Sequence, residues 1–205
     1  MPVSPLAMIL GILAPLAVAL AILTAAAFGL GARPAPAADA FQADKAHSSV
    51  VFRVKHMNTS NAWGRFNDVS GVFSIDDKDP TQSRFDFEVK TASIDTADAK
   101  RDQHLKSPDF FNAVQFPTIT FKSRSVTPAA KGELDVAGEM TLHGVTKPVT
   151  IRIARTGAGI DMRKKAIAGI EATFTIKRSD FGMTNMVGPV GDDVWVNVSI
   201  EGAKS

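Results

Sequence analysis

The sequence predicts an all-β protein: an antiparallel eight-stranded barrel with a short helical insertion between strands, preceded by an apolar N-terminal helix or signal segment. Three observations carry the prediction. From Phe41 onward, apolar and polar residues alternate with period two in about eight runs, the signature of strands with one buried and one wet face. The connections between runs are short and rich in Gly, Pro and Asp, which favours antiparallel neighbours, because a parallel pair needs a long crossover. Only residues 95–115 leave room for helix.

In chain order, the first thirty-two residues carry no charged side chain, and the apolar run from Leu6 to Leu30 is followed by the Pro-rich, small-residue stretch GARPAPAADAF. Residues 1–40 therefore read as a signal peptide with a linker or, if the apolar run is retained, as an N-terminal membrane anchor. Either way the sequence predicts export to the periplasm. A retained segment adds inner-membrane contact through residues 6–30. Two features depart from an ordinary signal peptide: the N-terminal region has no Lys or Arg, and the apolar run is long enough to span a bilayer.

Residues 41–205 then form a single barrel domain. With no cysteine in 205 residues, its core is held without disulfides or thiolate ligands. From Asp39 onward there are 21 acidic and 22 basic residues, a net charge of 22 − 21 = +1, with the two signs interspersed. That excludes the basic footprint of a nucleic-acid binder.

The runs themselves are distinct. Val50, Phe52 and Val54 alternate with Val51, Arg53 and Lys55, and Val69, Gly71, Phe73 and Ile75 form one face of the next segment. Phe85, Phe87 and Val89 oppose Arg84, Asp86, Glu88 and Lys90, and Ile119 and Phe121 interleave with threonines and Lys122. The later runs are Leu134–Leu142, Val149–Ile153, Ile170–Ile176 and Val194–Ile200. A membrane barrel would turn its apolar rows outward, and the charged rows here argue against that. Between them, Asp95 or Thr96 is the expected cap of a helix running to about Lys106, with Ser107 and Pro108 as a second start. Arg101, His104 and Leu105 share one face of it, placing a lid across one barrel end.

Little in the sequence points to catalysis or metal. His47, His56, His104 and His143 show no ligand spacing, and there is no nucleophile elbow or P-loop. His56 continues the inward row of Val50, Phe52 and Val54, so it is either a satisfied core histidine or a polar group at a cavity end. Arg101 is either a solvated helix residue paired with Asp98 or Asp102, or a cation that meets an anionic group. The phenylalanines, in a chain without tyrosine, either fill the barrel or line an open lumen. Periodicity does not separate those two readings, because eight strands enclose a space that suits either.

Three blocks do separate them. HMNTSNAWGRFNDVSGVFSID, IDTADAKRDQHLKSPDFFNAVQFPTITFKS and GEMTLHGVTKPVTI, spread through residues 41–202, resemble the YceI-like family of exported, lipocalin-like polyisoprenoid-binding proteins. The resemblance implies an elongated barrel whose lumen takes an amphipathic long-chain lipid such as a polyprenyl pyrophosphate, a quinone or a fatty amide. It implies binding, storage or transport across the periplasm, no catalytic reaction and no cofactor other than the bound polyisoprenoid or quinone-type lipid; no metal is expected from the histidine spacing. On this chain the expected lumen residues are Phe52, Val54, His56, Phe66, Phe73, Phe85, Phe87, Phe110, Phe111, Ile119, Phe121, Met140 and Phe174. The head-group candidates are His56, Arg101 and His104; Arg101 and His104 lie in the central block, which Asp109, Phe110 and Phe111 close. His143 falls on the outer side of a hairpin and reads as fold. Two rival readings remain: an enzyme acting on such a lipid, with His56 or His104 as general base beside a carboxylate, and a filled barrel serving as an adhesion or stress module. The sequence is silent on oligomeric state.

Overall fold

The alternating runs close into a barrel in the computed structural model, which describes residues 38–205. The expected signal peptide or anchor with its linker, residues 1–40, lies outside the described residues up to residue 37. Eleven strand segments form the wall: β1 (Ala40–Ala43), β2 (Ser49–His56), β3 (Ser60–Phe66), β4 (Val69–Ser74), β5 (Arg84–Lys90), β6 (Ile94–Asp95), β7 (Thr118–Pro128), β8 (Leu134–Leu142), β9 (Val145–Ile160), β10 (Ala166–Lys177) and β11 (Val190–Lys204). All pair antiparallel, and β1 closes the ring on β11.

Six of the segments are halves of three bent staves, so the barrel has eight. Both β1 and β2 pair with β11; β4 pairs with β1 where β3 pairs with β2; β5 pairs with β4 where β6 pairs with β3. Short interruptions produce the bends. One is a 3-10 turn, Lys45–His47, whose cap Asp44 accepts the Ala46 N–H at 2.8 Å. The ring is complete without any residue before Ala40, and the core cluster runs from Val50 to Ile200. Residues 38–205 therefore fold as a unit of their own.

Burial follows the predicted period. In β8 every second residue from Leu134 to Leu142 is buried. At the end where the chain enters, the rows meet in the middle: Phe41 stacks on Phe73 at 5.5 Å, Phe73 on Phe85 at 6.4 Å, and both Phe73 and Phe85 are 0% exposed. Val136, also 0% exposed, is sealed with them. The opposite end carries the lid.

The lid corrects two expectations about local structure. Helix α1 (Ala99–Lys106) is capped by Asp98, whose carboxylate accepts the Arg101 N–H at 2.9 Å, and not by Asp95 or Thr96. Asp95 is already committed to β6, and Thr96 is tied by its N–H and hydroxyl to the Asp102 carboxylate at 2.8 and 2.5 Å. Ser107 is the C-cap of α1, and residues 108–111 are turn instead of a second helix, because Phe110 and Asn112 donate back to the Ser107 carbonyl. The chain then re-enters the wall at β7.

Caps of this kind are expected to cost the fold some stability in acid. The His47 ring beside Asp44, the Thr81 hydroxyl on Asp79, the Arg101 N–H on Asp98 and the Ser179 hydroxyl on Asp192 each hold a carboxyl below its ordinary value. A depressed folded pKa contributes stability that is present above the unfolded value, about 3.9, and is lost as pH falls through the folded one. Urea midpoints are therefore expected to hold from neutrality to about pH 5 and to drop below about pH 4. An unchanged midpoint at pH 3 would show that these caps contribute nothing.

Candidate functional site: a lumen in the lidded half

Above the phenylalanine stack the rows no longer meet. A cavity of ≈ 190 Å³ lies between the wall and the lid. Its wall comes from Val50, Phe52 and Val54 on β2, Phe66 on β3, Phe87 and Val89 on β5, Ile119 and Phe121 on β7, and Met140 and Leu142 on β8. Ile151 and Ile153 on β9, Ile170, Ala172, Phe174 and Ile176 on β10, and Val194, Val196, Val198 and Ile200 on β11 complete it. Leu105, Phe110, Phe111 and Met183 roof it. Several inward side chains, among them Phe52, Phe87, Phe121, Phe174 and Val196, are only half-buried, although their row-mates Phe73 and Phe85 are sealed. An inward residue that stays accessible borders open space.

Local sequence shapes this space. The Phe52 ring occupies the position that a Cβ on Gly64, its cross-strand partner, would take, so only glycine there lets the ring lie across β3. The β8–β9 turn has two central residues, His143 and Gly144, at φ 52° and 76°, as a tight hairpin of this hand requires. Phe116 packs on that glycine, and the His143 ring meets Phe116 edge-on at 4.7 Å and bonds the Phe181 carbonyl at 3.2 Å. His143 is thus structural, a tie between the hairpin and the rim.

Ten of the expected lumen residues border the cavity: Phe52, Val54, Phe66, Phe87, Phe110, Phe111, Ile119, Phe121, Met140 and Phe174. Three do not. Phe73 and Phe85 belong to the closed stack, since period two fixes the face a residue shares but not its height in the barrel. His56 is exposed where β2 runs past the rim, one inward row beyond Val54.

The other two head-group candidates also lie outside the lumen. Arg101 is exposed and donates from Nε to the Thr96 hydroxyl at 2.8 Å and from Nη2 to the Thr96 carbonyl at 2.6 Å, bracing α1 against β6. His104 pairs through Nε2 with Asp109 at 3.0 Å, with both side chains more than half exposed. Among the described residues no histidine lines the cavity. The histidine–carboxylate convergence that an enzyme acting inside the lumen requires is therefore missing from it.

Sequence reasoning missed Arg178. It is 4% exposed and follows β10 at the lumen rim. Its guanidinium donates to four carbonyls: Nε to Gly191 at 2.9 Å, Nη1 to Met183 and Asn185 at 2.8 Å each, and Nη2 to Val190 at 3.0 Å. Burial holds its pKa below the usual arginine value, and Asp192 opposes that shift. Its donors face the backbone, so the lumen sees only an apolar lining. In the sequence IKRSDFGM it reads as an ordinary rim cation at a strand end, and no spacing marks it.

Comparison with known proteins agrees with this geometry. A family model described as a YceI-like domain matches residues 41–202. A UPF0312 protein of Pseudomonas aeruginosa is 40% identical over 188 residues, covering 88% of this chain and 97% of that protein. Protein YceI of Salmonella newport is 40% identical over 158 residues, covering 77% of this chain and 82% of the relative. Among solved structures, the YCEI protein of Campylobacter jejuni superposes with a TM-score of 0.66 at 29% identity, over 74% of this chain and 90% of that one. A polyisoprenoid binding domain from Saccharophagus degradans shares the fold, with a TM-score of 0.62 at 15% identity, over 82% of this chain and 99% of that one.

Proposed function

Because the chain belongs to the YceI-like domain family, we propose that its barrel is a periplasmic carrier or store for a long-chain lipid of the polyisoprenoid or quinone type. The observation that carries this reading is the apolar lumen in the lidded half. The Saccharophagus domain, a polyisoprenoid binder by name, has the same fold. A linear isoprenoid offers almost no polar handle, so its recognition rests on buried hydrocarbon, worth roughly 0.8 kcal/mol per CH₂ before ordering costs. A preformed, half-accessible wall lowers those costs. At ≈ 190 Å³ the lumen is smaller than the roughly 300–1,000 Å³ of ordinary ligand pockets. A long chain therefore enters by displacing Phe110 and Phe111 on the lid, and its polar end stays at the rim.

Native mass spectrometry of the protein exported by its host is expected to find a co-purifying lipid, and the emptied barrel is expected to take up detergent-presented ubiquinone or polyprenol. Ala172→Phe projects into the lumen from β10 and is expected to cut uptake by about tenfold or more, with a stability loss no larger than the roughly 1–3 kcal/mol of overpacking a buried position. Repeated recovery of an empty barrel that takes up neither probe overturns the reading. N-terminal sequencing of the exported protein tests the processing of residues 1–40.

A further inference from the structure

The closed end carries a feature that lipid binding in the lumen does not use. The β9–β10 hairpin runs beyond the rest of the wall: β9 leaves β8 after Ile153, pairs on with β10 alone, and turns at residues 161–165. A bulge between Gly169 and Ile170 bends it. Its tip reads Ile160-Asp161-Met162-Arg163-Lys164-Lys165. Ile160 is 73% exposed and Met162 fully exposed at 103%, although both are large apolar side chains. The three cations that follow are exposed, and none forms an ion pair among the described residues. The nearest carboxylate, Asp161, is committed to the turn, where Oδ1 accepts the N–H groups of Arg163 at 2.9 Å and Lys165 at 2.7 Å. Two bare apolar side chains beside three unpaired cations and one carboxylate, a net charge of 3 − 1 = +2 on a hydrogen-bonded turn, form a surface with one chemistry.

We infer that this tip docks the barrel, closed end down, on an anionic lipid bilayer. The cations meet the lipid phosphates, and Ile160 and Met162 enter the headgroup boundary. The position of the tip agrees. Ile167 on β10 pairs with Ala203 on β11, and Lys204 pairs with Phe41 on β1, so the tip projects beside the point where the chain enters the barrel. In the sequence, the uncharged apolar run Leu6–Leu30 ends shortly before that strand. Docking in this pose turns the lidded half away from the bilayer. A lipid in the lumen is then presented to whatever lies opposite that membrane.

The test uses residues 38–205 and vesicles of phosphatidylcholine with and without phosphatidylglycerol. Cosedimentation is expected only with phosphatidylglycerol and is expected to weaken as salt rises. Arg163→Gln with Lys165→Gln is expected to lower vesicle affinity by about tenfold or more, as is Met162→Asp, with melting temperatures unchanged because all three side chains are exposed. Brominated lipid is expected to leave the tryptophan emission unquenched. Trp63 and Trp195 are the only tryptophans, and Trp195 stands nine residues from Lys204, about 30 Å along the strand. Equal binding to neutral vesicles, undiminished binding by the charge variant, quenching of the tryptophans, or a tip-dependent dimer in place of vesicle binding each overturns the inference. Lumen uptake of ubiquinone is read separately and stands or falls independently.

Discussion

Arg178→Ala is expected to lower the melting temperature by on the order of 10 °C, the largest loss from any single charged side chain in this barrel. Hydrogen bonds to a charged group contribute roughly 1.5–3 kcal/mol each, and this guanidinium makes four, all to backbone carbonyls between Met183 and Gly191. Deleting it leaves the Met183 carbonyl buried with no donor and the other three carbonyls unpaired at the partly buried rim. Even if half are rescued by water, about 4 kcal/mol is lost, and a domain of this size shifts by roughly 2–4 °C per kcal/mol. Arg178→Lys is expected to recover only a minor part, because an ammonium lacks the planar fork that spans four acceptors. Hydrogen exchange locates the damage: the amides of residues 183–191 open first, and Met183 and Val190 leave the lumen wall. A melting temperature within about 2 °C of wild type would show that the four bonds are not held in solution.

Arg178 also marks what the sequence conceals. The number of staves, their antiparallel order and the face of each residue were legible because period two is a local property. Phe85, Phe87 and Val89 announce themselves as one row without reference to the rest of the chain. Height along the barrel axis is not local. Phe85 is sealed against Phe73 and Phe87 borders the lumen, two positions apart on one strand, and only the stagger of neighbouring strands decides which is which. Height also decides His56: it continues the inward row of Phe52 and Val54, but its strand has already passed the rim. Arg101 and His104 share a helical face, but a shared face says nothing about its direction, and Thr96 and Asp109 hold these two outward. Helix caps failed for a similar reason: Asp95, Thr96 and Asp98 all have capping chemistry, and pairing to β3 removes the first from the competition. Arg178 was invisible because its partners are carbonyls, which every residue has. A buried arginine paired to a carboxylate leaves two marks in a sequence, and one satisfied by backbone leaves none.

Two phenylalanine truncations separate the sealed half of the barrel from the lumen. Phe85→Ala removes a ring that is 0% exposed, stacked on Phe73 and anchored where its own N–H donates to the Ser123 hydroxyl at 2.9 Å. The surrounding rings cannot collapse into the gap without breaking that register, so the full cavity cost applies, roughly 3–5 kcal/mol. Phe174→Ala removes a ring that already borders open space and is half-buried. It enlarges an existing void instead of creating one and forfeits contacts on only one side, so its cost is expected to be about half as large. The order reverses for lipid. Phe174→Ala takes hydrocarbon contact from the lumen and is expected to weaken retention of ubiquinone, whereas Phe85→Ala, measured well below its melting temperature, leaves the lining intact and retention near wild type. Urea unfolding and ubiquinone uptake on the same two proteins give four numbers, and the proposal requires them to cross. If Phe174→Ala costs as much stability as Phe85→Ala and leaves uptake untouched, the two rings belong to one continuous core, and the space between wall and lid does not hold the ligand.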